Sequence, residues 1–416
     1  MSGIRQQIGS GAWLTAERAR VYSLILLVLT VVISALWLFG SDGVIDRNGK
    51  PIGTDFSSFY AAGSLAREGR AIEVYDTPIH YAREQQLFGE RTPYYAWFYP
   101  PIFLLIAAPL SALPYWLALA VWQGASGLFY GMTTAAILRR ARLPDAIRNT
   151  GLLAAIAFPA VLINLGHGQN GFLTAGLFAS ALLALPKRPI LAGILLASMA
   201  YKPQFALVIP LALLAARQWQ AFASAAAAVI GLIALTSAIF GIDIWSAFMA
   251  TGDLSRKLLL EQGEVGFAKL QSTFAVARMW SAGIMLAYLL QGLATAVVII
   301  SAAWAWRTTT DTSVRAAILL IAALLASPHV LDYDLMLLGP AIAFMVIAGT
   351  TSGFHRYEIT LLAAAWAVPL LARPVAEASG IPLGWATLIA LYIAALQRVT
   401  TARQHVKAAD APLAST

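Results

Sequence analysis

The sequence predicts an all-α fold, a polytopic bundle of membrane-crossing helices, on three observations. Hydrophobic residues make up 59% of the 416 and charged residues only 12%, with a mean hydropathy of +0.72. Soluble domains carry roughly 25% charged residues to cover their surface. Apolar runs of spanning length recur along the whole chain. The basic residues sit in short stretches between those runs, where orientation signals are found.

Residues 1–20 form a polar N-terminal segment ahead of a first span at 21–39. No small-residue cleavage site follows that run, so it reads as a retained helix rather than a removed signal peptide. A polar loop, 40–97, comes next. The piece 98–114, FYPPIFLLIAAPLSALP, is broken by Pro100, Pro101, Pro109 and Pro114. A straight crossing needs about 20 unbroken apolar residues, so this piece is expected to be a re-entrant or interfacial hairpin. Spans are expected at 115–138, 151–165, 172–185, 190–200, 205–216 and 222–240, with Lys202-Pro203 at a hairpin break. A second polar loop covers 241–272, and spans at 275–304, 316–326, 335–347, 359–371 and 383–396 precede a tail at 398–416. The total is about 12 spans in a single membrane domain.

With the N-terminus inside, the inner loops collect Arg5, Arg18, Arg20, the Arg139-Arg140-Ala141-Arg142 cluster, Lys187, Arg188, Arg307, Arg315, Arg356 and the basic tail, while most acids fall outside. A full crossing by 98–114 would put the arginine cluster outside and break that bias, which favours the hairpin and cytoplasmic termini. Five polar stretches then share the outer face: the 40–97 loop with Asp55, GHGQN at 166–170, YKPQ at 201–204, the 241–272 loop and SPHVLDYD at 327–334. A site assembled from loops on a rigid bundle has this layout.

Asp55 is followed by Phe56, Phe59, Tyr60 and Gly63, the spacing of a short amphipathic helix expected on the membrane surface. Asp55 is either the N-cap of that helix or a general base at the interface. Lys202 lies between two apolar half-spans and precedes a helix start, which suits a phosphate; a lysine snorkelling to the interface is the plain alternative. GHGQN offers His167, Gln169 and Asn170 to sugar hydroxyls, or is a simple outer turn. His329 can donate a hydrogen bond to phosphate or to an acceptor hydroxyl, or be an idle loop histidine. Arg256, Lys257 and Lys269 can steer an anionic head group or be merely solvated. Asp332 and Asp334 straddle Tyr333 on different helix faces with no second histidine nearby, so no metal is expected. The net charge of +8 comes without a basic block interleaved with aromatics, so nucleic acid is not an expected partner. The absence of cysteine excludes disulfides and thiolate chemistry.

The order of these pieces resembles glycosyltransferase family 87. An Asp after the first span leads into FYxAGxLAxxG, and Tyr75-Asp76 and FYPPIFLLIAAPLSALP follow. GQN, AGILLASMAYKPQ with Arg217-Gln218-Trp219, and SPHVLDYDL complete a match from about residue 55 to 338. The resemblance implies a C-type integral-membrane glycosyltransferase, similar to mycobacterial phosphatidylinositol mannosyltransferases. It implies a polyprenyl-phosphate sugar as donor, a hydroxyl of a lipid-linked or glycan acceptor, inversion at the anomeric carbon and no cofactor. The transferred sugar would be a hexose, with mannose first, at the outer face of a bacterial cytoplasmic membrane. On this reading Asp55 is the base and His329 a second catalytic group. Lys202, Arg256, Lys257 and Lys269 hold the donor phosphate. Tyr60, Tyr99, His167, Gln169, Asn170, Gln204 and Tyr333 are expected to bind substrate. A transporter or flippase of a polyprenyl-linked saccharide is the alternative; it should carry ionisable groups near mid-span on several helices, where acids are almost absent here.

Overall fold

The structure, a computed structural model, describes residues 2–141 and 143–409. Arg142, assigned to an inner loop above, and the end of the tail from 410 on lie outside the described residues. Among the described residues the secondary structure is helical, with β-pairing limited to isolated bridges.

Helix α1 (Ser2–Ser10) leads into α2 (Ala16–Phe39), whose N-cap Thr15 accepts a hydrogen bond from the Arg18 amide. The first span thus starts five residues earlier than the apolar run, because a Thr cap and a first-turn Glu17 favour nucleation there. Only Ser23 of α2 is buried, and Val28, Val31 and Leu36 are exposed, as a lipid-facing helix requires.

The first loop folds into α3 (Thr54–Arg67), α4 (Thr77–Phe88) and α5 (Leu104–Leu110), followed by α6 (Tyr115–Arg140). α5 has 7 residues with Pro109 inside it, a rise of about 10 Å, far short of a bilayer. Helix α3 was expected on the membrane surface and is instead enclosed. Nine of its 14 residues are buried. Phe56 and Phe59 pack into an aromatic cluster with Tyr99, Phe103, Tyr115 and Trp122. On that same face, between Phe56 and Phe59, sits Gly63, where an added Cβ would lie 2.1 Å from the Ala107 carbonyl oxygen. The apolar spacing marked a buried face, and the gap that Gly63 leaves in it lets α5 close over the helix.

α7 (Asp145–Ile156) and α8 (Pro159–His167) form one interrupted span, and α9 (Gly171–Ala184), α10 (Pro189–Ala197), α11 (Ile209–Ala215) and α12 (Trp219–Phe240) follow. The second loop holds α13 (Asp243–Ala250) and α14 (Gly252–Arg256). The span expected at 275–304 is divided: α15 (Thr273–Met279) is capped by Ser272 and stops at Trp280, and α16 (Ile284–Thr308) begins after Ser281, whose φ is 65°. α17 (Thr312–Ala326), α18 (Leu338–Ser352), α19 (Glu358–Ser379) and α20 (Leu383–Ala409) complete the bundle. α20 runs on through residues expected in the tail.

Among the described residues seven helical segments are long and apolar enough to cross a membrane: Ala16–Phe39, Asp145–His167, Trp219–Phe240, Ile284–Thr308, Asp332–Ser352, Glu358–Ser379 and Leu383–Gln404. The other expected spans are α6, which is less apolar, and the short helices α9, α10, α11 and α17. α17, with 15 residues, rises about 23 Å against a hydrocarbon thickness of about 30 Å. It is buried from Ala316 to Ala326, so it belongs to the core of the bundle rather than to its lipid face.

The α3–α5 approach yields a test. Gly63→Val should destabilise the protein by about 3 kcal/mol through overpacking against backbone, read as a lowered thermal unfolding midpoint in detergent. An unchanged midpoint would contradict the close approach.

Candidate functional site

A cavity of about 660 Å³ opens at the end of the bundle where α2 ends and α3 begins. Asp55, Tyr95, Tyr99, Gln169, Lys202, Gln204, Arg256, Lys269, His329 and Tyr333 line it, with Leu258 and Leu259 as an apolar wall. All five polar stretches contribute lining residues, GHGQN through Gln169.

Asp55 is not a cap. The N-cap of α3 is Gly53 at φ 70°, a left-handed conformation that suits glycine, and Asp55 sits in the first turn. A carboxylate there lies in the positive field of the helix start. Its Oδ2 accepts from Gln169 Nε2 at 2.8 Å. Gln169 Oε1 accepts from the Asn170 amide at 2.9 Å and from the Tyr99 hydroxyl at 3.2 Å. A backbone N–H can only donate, so it fixes which end of the Gln169 amide faces Asp55. Gly168, at φ 63°, makes the turn possible; a Cβ on it would meet Phe56 Cβ at 2.5 Å.

His167 stands behind Asp55 rather than in the main cavity. Its Nδ1 lies 2.9 Å from Thr54 Oγ1 and 3.9 Å from Asp55 Oδ1, and its Nε2 is 3.5 Å from Lys269 Nζ. Lysine only donates, so the Lys269 contact favours the proton on Nδ1, pointing to Thr54. With Thr54 and Asp332, His167 lines a second groove of about 380 Å³ beside Pro369 and Arg373.

Lys202 lines the cavity, but its Nζ meets Asp334 Oδ1 at 2.5 Å with both side chains buried. The other Asp334 oxygen accepts from the Leu331 amide at 3.0 Å, capping the turn Asp332–Leu337. The Tyr333 ring has Lys202 on it at 5.4 Å and Lys269 at 5.6 Å. Pairing of the Gln271 amide with the Val330 carbonyl, at 2.7 Å, stitches the second loop to SPHVLDYD and brings Lys269 beside Tyr333. Among the described residues Lys269 has no carboxylate at ion-pair distance, whereas Arg256 is paired with Glu261 and with Asp253, the latter at 3.2 Å. His329 opens onto the cavity, and burial pushes its imidazole down to about 4, so it is neutral near pH 7.

Three expected residues fall elsewhere. Tyr60 donates from its hydroxyl to the Leu113 carbonyl within the α3–α5 packing. Lys257 is exposed and off the cavity lining. Asn170 is fully buried behind Gln169. The reading missed Asp334 as the partner of Lys202, although a lysine at membrane depth calls for an anion. It also missed Tyr95 and the pair behind it. Glu84 Oε2 accepts from the Tyr95 amide at 3.0 Å, and His80 lies 3.8 Å from the other Glu84 oxygen with both side chains fully buried. Burial raises the Glu84 carboxyl from 4.5 to about 9 and lowers His80 from 6.5 to about 4, so this is a contact between neutral groups and not an ion pair.

A sequence model described as glycosyltransferase family 87 matches residues 97–328, more than half of the chain. No curated protein matches, and no solved structure matches.

Two tests follow from the buried pairs. The stability that protonated Glu84 contributes is full below its ordinary 4.5 and is lost as pH rises toward about 9; that of neutral His80 is full above 6.5 and lost as pH falls through about 4. Glu84→Gln should therefore flatten the alkaline fall of the unfolding midpoint and leave the acid limb in place. For the buried ion pair, Asp334→Leu alone should cost about 3–5 kcal/mol, and the double change Lys202→Met with Asp334→Leu should recover most of it. Equal loss in the single and double variants would show that the two side chains do not share their charge.

Proposed function

The chain belongs to glycosyltransferase family 87, and on that premise we propose that it transfers a hexose, with mannose first, from a polyprenyl-phosphate donor to an acceptor hydroxyl at the outer face of a bacterial cytoplasmic membrane. One observation carries the reading: a carboxylate held by an oriented amide opens onto the same cavity as Lys269, Lys202 and Arg256. Asp55 Oδ1 is more lightly held: the Thr54 hydroxyl donates to it at 3.5 Å, and His167 Nδ1 lies 3.9 Å away. It is the oxygen available to take the acceptor proton.

In the proposed step the acceptor oxygen, losing its proton to Asp55, forms a bond to the anomeric carbon from the face opposite the phosphate. The bond from that carbon to the phosphate oxygen breaks, and polyprenyl phosphate leaves with the electron pair. Lys269 is the cation best suited to the growing phosphate charge, because Lys202 and Arg256 already have carboxylate partners. Neutral His329 can donate one hydrogen bond to a phosphate or sugar oxygen. Leu258 and Leu259 offer an apolar surface to the first isoprene units. Tyr99 and Gln204 face the space left for the sugar.

Purified protein given a short-chain polyprenyl-phosphate mannose and a lipid acceptor pool tests this. Asp55→Asn should lower turnover by about 10²–10⁴-fold with donor affinity retained, and Lys269→Ala should weaken donor affinity about tenfold. Full turnover in Asp55→Asn would remove the base, and saccharide transport without transfer would replace the reading.

A further inference from the structure

At the end of the bundle opposite Asp55, where α2 and α19 begin, a cleft of about 520 Å³ lies between α1 and the α18–α19 turn. Arg5, Gln6, Ser10, His355 and Arg356 line it, with Phe354 at its edge. It is built rather than incidental. The Tyr357 amide donates to the Gly9 carbonyl at 2.7 Å, and Thr360 Oγ1 donates to the Ile8 carbonyl at 2.7 Å. Trp13 Nε1 donates in turn to Thr360 Oγ1 at 2.8 Å. These bonds dock α1 onto the start of α19.

Tyr357 is held at φ 67°, where a bulky residue is strained, and its ring lies under the Arg356 guanidinium at 4.8 Å. Arg356 also packs on α1 so closely that a Cβ on Gly9 would sit 3.0 Å from its Nε. The turn thus holds one guanidinium in place beside the cleft that Arg5 also lines. Glu358, the acid two residues past Arg356, accepts from the His355 amide and is otherwise committed to the buried Arg398 guanidinium. Among the described residues neither Arg5 nor Arg356 has a carboxylate at ion-pair distance. The cleft is therefore positive and lacks an anion.

We propose that this cleft binds the phosphate-bearing headgroup of an anionic bilayer lipid. Ile4 and Ile8 of α1 are 66% and 39% exposed, and Val21 and Tyr22 of α2 are exposed nearby. A short amphipathic helix with its apolar side chains turned outward lies in the interfacial plane. The acyl chains would run along those residues while the phosphate takes two guanidiniums. A soluble phosphate would use the charge and leave the apolar rim idle.

The test uses the full chain in mild detergent, titrated with phosphatidylglycerol, with phosphatidylcholine of the same acyl chains, and with inorganic phosphate. Phosphatidylglycerol alone should raise the unfolding midpoint, and native mass spectrometry should show it retained. Added salt should weaken the effect. Arg5→Gln and Arg356→Gln should each lower the affinity about fivefold. Should those variants fold poorly, Gln6→Glu places a negative charge in the cleft without touching the docking bonds, and should lower it similarly. Equal response to phosphatidylcholine, or undiminished affinity in the variants, would overturn the proposal. An equal response to inorganic phosphate would make this a soluble-anion site instead.

Discussion

Where two interrupted helices end, the Lys202 ammonium and the Asp334 carboxylate meet with their side chains only 3% and 2% exposed. Neither charge could be held there alone, since removing an ion from water costs several kcal/mol even after relaxation. The pair is stable only because Asp334 also caps the turn that carries it, so both carboxylate oxygens are satisfied. Its consequence is architectural. It ties the break after α10 to the turn before α18, and those two breaks form the floor of the cavity. Tyr333, held between Lys202 and Lys269, extends the tie to the second loop.

The same requirement, that a charge drawn out of bulk water be given partners, explains how Asp55 is presented. The amide of Gln169 is oriented by a backbone N–H that has no freedom to accept. One carboxylate oxygen is thereby engaged and the other left toward His167 and the cavity. The aromatic cluster under α3 holds the helix rigidly enough for this to matter, because a base has to lie within about 3 Å of the proton it takes. Behind Tyr95, Glu84 and His80 meet the constraint differently: both are neutral, and the wall of the cavity rests on an uncharged contact.

At the far end of the bundle the constraint is relaxed, and the charge shows it. Arg5 and Arg356 face a water-accessible cleft at a membrane surface, where cations need no buried partner and gain from anionic headgroups. The buried cations Lys202 and Arg398 are thus closed in pairs, whereas Arg5 and Arg356 are exposed with no carboxylate at ion-pair distance among the described residues.

The membrane class, the helical fold and the family were legible from composition, apolar runs and the order of motifs, since these depend on local properties that a linear sequence carries. Asp55, Lys202, Gln169 and Lys269 were legible as polar residues out of place. What each of them does was not. The spacing around Asp55 allowed a cap, and only the packed start of α3 shows Gly53 taking that position. Lys202 read as a free cation until folding brought Asp334 to it from a stretch 132 residues away. Tyr60 and Asn170 read as substrate contacts, but Tyr60 bonds the Leu113 carbonyl and Asn170 is buried off the cavity. The place of α17 also escaped the sequence, because it is as apolar as a lipid-facing helix and only its neighbours reveal that it lies in the core. Sequence alone therefore determined which residues are costly to bury. Tertiary structure decided which of them were satisfied by each other and which were left for a ligand, because pairing depends on distances that the order of residues does not contain.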